Sequence, residues 1–174
     1  LWMRGRYGKS VNQSFYNNWR AKREYAGGGI LIDQGIHMID LFILFGGNFD
    51  NIHASVSNLY WNLNVEDNVF ATLENSKTGL VASLHSTMTQ WRYLFSLEVF
   101  LERGALVLNG LKTSSGAYGS EDLAIKRNSK KGQSGTFVAE ERLVYEIDTS
   151  WKNEINAFFR AIENPEKPRI GTSS

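Results

Sequence analysis

The 174-residue chain contains no cysteine and only three histidines, His37, His53 and His85. The absence of cysteine excludes disulfide bonds, thiolate metal sites and a cysteine nucleophile. Neither sign of charge is in excess, since 19 basic and 18 acidic residues give a formal net charge of +1. This balance provides no basic surface for nucleic acid or for an acidic membrane. Any imidazole chemistry must therefore lie at one of three positions.

Long hydrophobic runs are also missing, because no apolar stretch reaches the roughly 20 residues needed to span a bilayer. Hydrophobic residues nevertheless make up 42% of the chain and aromatic residues 13%, which is enough for a packed core. The chain opens at Leu1 without methionine, shows no signal or transit segment, and closes on a turn-like stretch. These features predict one domain excised from a longer protein, which we expect to be cytoplasmic.

The N-terminal third divides into an irregular part and an apolar part. The first 26 residues are rich in Arg, Asn, Tyr and Trp, which predicts loop or edge segments rather than core. Gly27, Gly28 and Gly29 then interrupt the chain. The stretch from Ile30 to Phe45 is almost continuously apolar and ends at two glycines, which predicts a buried helix with a glycine C-cap.

Apolar and polar residues alternate through most of the remaining chain, as in half-buried strands. The clearest predicted strand places Phe95, Leu97, Val99 and Leu101 on one face. Short connections such as residues 75–79 favour antiparallel pairing. The other predicted strands lie at Ile52–Val56, Val69–Leu73, Leu80–Leu84, Ala105–Leu108, Leu123–Arg127 and Phe137–Ile147.

A final helix is predicted before Asn164-Pro165, and it completes the fold class. Its apolar residues recur at helical spacing and are Trp151, Ile155, Phe158, Phe159 and Ile162. One helix, six or seven strands and one helix predict an α+β fold, an open, predominantly antiparallel β-sheet with helices packed on one face. The other sheet face is uncovered and has Trp and Tyr among its candidates, so we expect it to be an oligomer interface.

The first predicted helix carries a polar stripe formed by Asp33, His37 and Asp40. Asp33 and His37 lie four residues apart and can hydrogen-bond, and a carboxylate partner tunes an imidazole for general acid–base chemistry. The alternative is a stripe that simply meets water, although Lys and Glu, which are usual in such stripes, are absent. A metal site is disfavoured because no second histidine lies at ligand spacing on this helix.

Several other motifs are incomplete. Gly8-Lys9-Ser10 resembles the end of a phosphate-binding loop, but Met3 stands where that loop requires glycine. Gly27-Gly28-Gly29 lacks the spacing of a dinucleotide-binding fingerprint, so these glycines are expected to let the backbone pass close to a helix start or a ligand. The basic segment Lys126–Gly132 is interpreted as a solvated hairpin tip rather than as a nucleic-acid site.

Residues 27–41 read Gly-Gly-Gly-Ile-Leu-Ile-Asp-Gln-Gly-Ile-His-Met-Ile-Asp-Leu. This segment resembles the G-G-G-x-L-x-D-x-G-x-H-x-x-D-L signature of the Gfo/Idh/MocA oxidoreductase family. Arg4–Gly8, Trp19-Arg20 and Pro168–Gly171 are similar to the same family. The resemblance covers essentially the whole chain and implies the family's C-terminal domain, with the Rossmann domain that binds NAD or NADP absent.

The resemblance implies a two-domain enzyme that transfers hydride between nicotinamide and a hydroxyl or carbonyl carbon of a sugar, cyclitol or nucleotide-sugar. His37 and Asp33 are its implied catalytic pair: His37 exchanges a proton with the substrate, while Asp33 orients His37 and contacts substrate. The implied substrate-binding residues are Arg6, Tyr7, Trp19, Arg20 and Gln34.

The same resemblance sets the expectations for cofactor and partners. Glu166-Lys167-Pro168 matches a family motif in composition but follows the last helix rather than a Rossmann strand, so we interpret it as a coincidence. We expect neither bound cofactor nor activity in this chain alone, and a homo-oligomer formed through the open sheet face. Two alternatives remain, a non-catalytic sugar-binding or dimerisation scaffold and an NAD-dependent glycoside hydrolase.

Overall fold

A computed structural model describes residues 1–128 and 139–164 of the chain. Within these ranges it contains eight strands in one sheet, together with a few helical segments. The strands are β1 (Trp2–Ser10), β2 (Asn51–Ser57), β3 (Asn68–Asn75), β4 (Leu80–Thr87), β5 (Thr89–Leu101), β6 (Gly104–Asn109), β7 (Glu121–Arg127) and β8 (Glu141–Tyr145). The helices are α1 (Arg23–Ala26), α2 (Ile36–Gly46) and α3 (Ser150–Glu163), with 3-10 turns at Gln13–Asn17 and Trp19–Ala21 and a π-helical segment at Leu31–Gly35.

The sheet order is β2-β3-β4-β1-β5-β6-β7-β8. All neighbouring strands run antiparallel except β1 and β4, which are parallel. This arrangement confirms the predicted open, predominantly antiparallel sheet. The predicted strand at Phe137–Ile147 is shorter in the structure, where β8 covers Glu141–Tyr145; Phe137, the end of the basic segment (129–132) and residues 165–174 lie outside the described residues.

Strand β1 overturns the prediction that the first 26 residues are loop or edge segments. It lies in the middle of the sheet, where it pairs with β4 on one side and with β5 on the other. Its inward positions are Met3, Gly5 and Tyr7, while Arg4 and Arg6 point to the opposite face. Inward and outward positions do alternate along β1, but the central inward position is Gly5, which has no apolar side chain. The apolar pattern that would predict a strand is therefore incomplete.

The main core lies between this face of the sheet and α2. Its buried side chains come from four strands and the helix, namely Met3, Met38, Phe42, Leu73, Ala82, Leu84, Phe95, Leu97 and Val99. Gly5 permits the helix to approach β1, since a Cβ at this position would lie 2.4 Å from the Met38 Sδ and 2.7 Å from the Phe42 Cζ. The absence of a side chain at Gly5 therefore sets the distance between α2 and the sheet.

Replacement of Gly5 by alanine is expected to lower the free energy of unfolding by about 1–2 kcal/mol, because the new methyl group overpacks the contact with α2. The stiffer unfolded chain of the alanine variant offsets part of this cost. Denaturant unfolding of wild type and variant measures the difference. Ser83→Ala, on the exposed face of neighbouring β4, is the control, and equal stability of Gly5→Ala and this control would contradict the packing argument.

Helix α2 is buried on one face only within the described residues, so the prediction of a buried helix holds for that face alone. Met38 and Phe42 are fully buried against the sheet, whereas Ile36, Ile43 and Leu44 are exposed. The physical reason is the single layer of sheet, which covers only one side of the helix. Apolar residues lie on nearly all sides of this helix, as the sequence indicates, but within the described residues only one side of the helix is buried.

The helical stretch Arg23–Gly46 also has the length and mean hydropathy, 1.5 over its most apolar window, of a membrane-spanning helix. This stretch includes α1, the π-helical segment and α2, and it carries charged residues such as Glu24 and Asp33. Met38 and Phe42 pack into the sheet core. A core helix of a folded domain meets the same criteria, and the packing of α2 is of that kind.

Helix α3 forms where the sequence predicts it, but its apolar face is uncovered in the described residues. The exposed side chains on this face are Trp151, Ile155, Phe158, Phe159 and Ile162. Phe158 and Phe159 contact each other with ring centroids 6.2 Å apart. An apolar helix face of this kind usually marks a contact with another segment or chain.

The sheet face opposite α2 carries two aromatic stacks. Trp2 stacks on Phe100 and Phe70 stacks on His85, each pair with ring centroids 3.9 Å apart. Burial lowers the pKa of His85, and the positive charge of Arg6 lowers it further. The imidazole is therefore neutral at neutral pH, which suits its stacking on an aromatic ring.

Candidate functional site

The candidate site lies where β1 ends, beside the π-helical segment and the start of α2. The chain enters this segment through a close backbone contact, in which the Ile30 N–H donates to the Glu66 carbonyl at 3.0 Å. A Cβ at Gly29 would lie only 2.0 Å from that carbonyl oxygen, so only glycine fits. The glycine triplet thus allows the backbone to pass close to another segment at the start of a helix, as the sequence predicts.

Asp33 lies between two cationic side chains. Its Oδ2 accepts a hydrogen bond from the Lys9 ammonium, and its Oδ1 lies 3.2 Å from the Arg20 Nε. The Lys9 side chain is only 11% exposed, and its Nζ lies 5.1 Å from the centre of the Phe15 ring. An ammonium so far removed from water requires a counter-ion, and Asp33 provides it.

His37 is exposed on the first turn of α2, next to Tyr7, with ring centroids 6.2 Å apart. The hydrogen bond that the four-residue spacing allows between Asp33 and His37 is not formed among the described residues. Asp33 belongs to the π-helical segment, where backbone bonds span five residues, so positions four apart no longer lie one above the other. Its carboxylate is directed to Lys9 and Arg20 instead. Asp33 thus does not orient His37 by direct contact.

Gln34 is buried, and its Nε2 donates a hydrogen bond to the Tyr118 hydroxyl, while its Oε1 has no partner among the described residues. Tyr118 comes from the loop between β6 and β7 and packs against Tyr7 with ring centroids 5.5 Å apart. Burial raises the pKa of Tyr7, and it raises the pKa of Tyr118 more strongly. Both phenols are therefore protonated at neutral pH.

Trp19 and Arg20 form one wall of a cavity of about 160 Å³ beside Asp33. The Arg20 guanidinium lies 4.3 Å from the centre of the Trp19 ring, so the aromatic ring holds it in place over the cavity. The remaining lining residues are Phe15, Ala26, Gly28, Gly29, Ile32 and Met88. A cavity with a carboxylate, a guanidinium and an indole on its wall has the groups that bind a hydroxylated ligand.

Arg6 is the one predicted substrate-binding residue that the structure places elsewhere. Successive side chains of a strand point to opposite faces, so Arg6 lies on the open face while its neighbour Tyr7 points toward α2. In the sheet register Arg6 is opposite His85 of β4 and Ser96 of β5. The grouping of Arg6 with Tyr7 is therefore wrong.

Two residues of the site, Lys9 and Tyr118, were missed by the sequence reasoning. Gly8-Lys9-Ser10 resembles only an incomplete phosphate-binding loop, yet the alternation of β1 places Lys9 on the same face as Tyr7. That signal was available in the sequence. Tyr118 had no comparable signal, because a loop residue more than a hundred positions from Tyr7 is brought there only by the sheet order.

The described residues contain neither a metal cluster nor a cradle for a dinucleotide. No group of three His, Asp or Glu side chains in residues 1–128 and 139–164 is placed to hold a metal ion. The glycine triplet has structural roles instead of forming a dinucleotide-binding loop: Gly27, with φ of 77°, ends α1, and Gly29 packs on Glu66. These residues do not fit a nicotinamide cofactor, and we assign no cofactor contact to them.

Solved structures with the same fold include several oxidoreductases. Levoglucosan dehydrogenase in complex with NADH and levoglucosan matches with a TM-score of 0.70 and 21% identity, over 93% of this chain and 49% of that one. Aldose-aldose oxidoreductase from Caulobacter crescentus complexed with glycerol matches with a TM-score of 0.74 and 17% identity, over 97% and 47%. The WlbA dehydrogenase from Bordetella pertussis, in complex with NADH and UDP-GlcNAcA, matches with a TM-score of 0.60 and 22% identity, over 75% and 39%.

The chain thus spans about half the length of the solved structures it matches. A comparison with curated proteins gave no match. At identities below 25% the structural matches establish the fold. The sequence itself provides the family, since residues 1–107 match the model of the GFO/IDH/MocA C-terminal domain. The chain therefore belongs to the GFO/IDH/MocA family and corresponds to its C-terminal domain.

Proposed function

We propose that residues 1–174 form the substrate-binding and oligomerisation domain of a longer, cytoplasmic NAD(P)-dependent oxidoreductase. The proposed substrate is a sugar, a cyclitol or a nucleotide-sugar, oxidised or reduced at a hydroxyl or carbonyl carbon. Family membership supports the oxidoreductase class. Structural relatives that contain levoglucosan, glycerol or UDP-GlcNAcA support a polyhydroxylated substrate.

The observation that carries this proposal is the grouping of an exposed imidazole, a phenol and a carboxylate at one end of β1. His37 is exposed and can exchange a proton with a substrate oxygen. Tyr7, beside it, remains protonated and can donate a hydrogen bond to that oxygen. Asp33, held by Lys9 and Arg20, presents a fixed anion that can accept a bond from a second hydroxyl of the substrate.

The exposed apolar faces of the helices support a longer protein. Ile36 and Leu44 of α2 are 51% and 72% exposed, and Trp151 of α3 is 75% exposed. Apolar surface of this extent is costly in water and is usually covered. A preceding nucleotide-binding half that packs on these helices would cover it and would face His37.

The test is a turnover assay with the full-length protein. NAD and NADP are each mixed with levoglucosan, L-sorbose, glycerol or UDP-GlcNAcA, and the absorbance of the reduced nicotinamide is followed. A nicotinamide-linked change with at least one probe supports the proposal. Binding of a probe without turnover would favour a non-catalytic scaffold, whereas release of a sugar without net change in nicotinamide would favour glycoside hydrolysis.

We also propose that the sheet face opposite α2 joins two copies of the chain. This face carries the stacks of Trp2 on Phe100 and of Phe70 on His85, and Phe70 is 52% exposed. Aromatic side chains on an open sheet are typical of the centre of an interface.

Phe70→Glu is therefore expected to convert the oligomer into monomers in sedimentation velocity experiments, because it places a charge in the apolar contact. The control is Lys77→Glu in the exposed turn between β3 and β4, which should leave the oligomer unchanged. If Phe70→Glu sediments like wild type, the interface lies on another face.

A further inference from the structure

Arg20 is held on two sides at the cavity of the candidate site, while its terminal nitrogens remain unbonded. Its Nε lies 3.2 Å from the Asp33 Oδ1, and its guanidinium lies 4.3 Å from the centre of the Trp19 ring. Nε carries only one of the five N–H donors of a guanidinium. The two terminal nitrogens carry the other four, and neither has a hydrogen-bond partner in residues 1–128 and 139–164. Because the Arg20 side chain is 44% exposed, these donors are accessible to a ligand.

The ion pairs around Asp33 leave one positive charge uncompensated. Asp33 is paired with both Lys9 and Arg20, so two cations share a single carboxylate. The Lys9 ammonium is the more buried of the two and needs this counter-ion more than Arg20 does. Within the described residues Asp33 is the only acidic side chain that lines the cavity, since the Glu66 Oε1, which accepts the Leu31 N–H at 3.1 Å, lies outside the lining. Arg20 therefore retains positive charge for an anionic ligand.

The size and the lining of the cavity indicate which part of a ligand it holds. Its volume of about 160 Å³ is well below the roughly 300–1,000 Å³ of sites that hold a complete small molecule. It therefore accommodates one substituent, while the rest of the ligand lies outside. Apart from Arg20 and Asp33, the lining consists of apolar side chains and glycine. Apolar walls exclude water, which strengthens the attraction between the guanidinium and an anion.

The donors that remain on Arg20 match an anionic oxygen group. The two terminal nitrogens of a guanidinium lie in one plane and bind two oxygens of a carboxylate or a phosphate through parallel hydrogen bonds. A neutral hydroxyl accepts only one such bond and does not balance the charge. Because Asp33 and Trp19 already hold Arg20, the side chain loses little further rotamer freedom when a ligand binds.

We propose that Arg20 binds an anionic oxygen group of the substrate, a carboxylate or a phosphate monoester, which enters this cavity. This inference rests on the proposed function for the sugar-like remainder of the substrate, whereas the anion site itself rests on Arg20, Asp33 and Trp19. It narrows the substrate class to a sugar acid or a sugar phosphate. The Asp33 carboxylate, beside the anion, remains the acceptor for a hydroxyl of the same substrate.

The first arm of the test follows the nitrogen-15 resonance of the Arg20 Nε in the full-length protein. The protein is labelled with nitrogen-15 arginine, and the resonance missing from Arg20→Met identifies Arg20. Sodium acetate and sodium phosphate are the probes, each compared with sodium chloride at the same ionic strength. We expect a saturable shift with at least one of them, and the anion that saturates at the lower concentration identifies the group as carboxylate or phosphate. No saturable shift with either anion would overturn the proposal.

The second arm compares glucuronate, glucose 6-phosphate and glucose, which share one ring and differ in charge. We expect at least one of the acidic sugars to bind about tenfold to a hundredfold more tightly than glucose in titration calorimetry. Arg20→Met should abolish this preference, and Arg20→Lys, which keeps the charge without the paired donors, should retain only part of it. Arg23→Met is the matched control, because it removes an exposed guanidinium that does not line the cavity. An equal preference in wild type and Arg20→Met would overturn the proposal.

The two arms and the turnover assay distinguish this inference from the proposed function. If the Arg20 resonance responds to an anion but no probe changes the nicotinamide absorbance, the proposed function fails while the anion site stands. If a probe turns over but the Arg20 resonance responds to neither anion, the proposed function stands and the anion site is overturned.

Discussion

His37→Ala in the full-length protein is expected to lower kcat by about 10²–10⁴-fold, the usual contribution of a general acid–base group. His37 is exposed at the first turn of α2, next to Tyr7, and no described side chain besides it offers an imidazole at this end of the sheet. The loss of the imidazole leaves the substrate oxygen without the side chain with which it would exchange a proton. The measurement is the steady-state rate with the probe that turns over.

The same variant should keep its fold and its cofactor affinity. An exposed side chain contributes little packing, so the midpoint of thermal unfolding should match that of wild type. Nicotinamide binding, followed by fluorescence, should be unchanged because no cofactor contact is assigned to this chain. His53→Ala, on exposed β2, is the matched control and should retain full turnover. Normal turnover in His37→Ala would remove His37 from the mechanism.

Most strands of the sheet could be predicted because apolar and polar residues alternate along them. In β5, Phe95, Leu97 and Val99 face the core and mark the strand by their period of two. Strand β1 follows the same period, but its inward positions include Gly5, where the helix requires space, and its outward positions carry arginine. Gly5, which lets α2 approach the sheet, is therefore also the residue that interrupts the apolar alternation of β1, so the sequence pattern does not predict this strand.

At the start of the first helix, the spacing of residues along the sequence does not predict which side chains contact Asp33. Helical spacing predicts a hydrogen bond between Asp33 and His37, which the structure does not form, because Asp33 belongs to the π-helical segment and is bonded to Lys9 and Arg20. It does not predict the π-helical segment, which directly follows a contact of Gly29 with the backbone of Glu66 from a distant loop. The partners of Asp33 therefore had to be found in the structure. Lys9 reaches it from β1 across 24 positions of the sequence.

Asp33→Asn is expected to lower the free energy of unfolding by about 2–3 kcal/mol, because it leaves the buried Lys9 ammonium beside a neutral amide. The Lys9 side chain is only 11% exposed, whereas the Asp33 side chain is 24% exposed, and we therefore place the cost below that of a fully buried pair. Arg20→Met is the control. Arg20 is 44% exposed, so its ion pair with Asp33 should contribute less than about 1 kcal/mol.

The double variant Lys9→Met/Asp33→Asn distinguishes the effect of Asp33 on the free energy of unfolding from its effect on turnover. It removes the buried charge together with its counter-ion, and it should regain about 1–2 kcal/mol of the loss seen in Asp33→Asn alone. Denaturant unfolding measures this recovery, and a double variant no more stable than Asp33→Asn would contradict the dependence of Lys9 on Asp33. Turnover should not recover, because the carboxylate that we propose contacts the substrate is absent from both variants. A stable double variant with wild-type kcat/KM would show that the ion pair serves the fold alone.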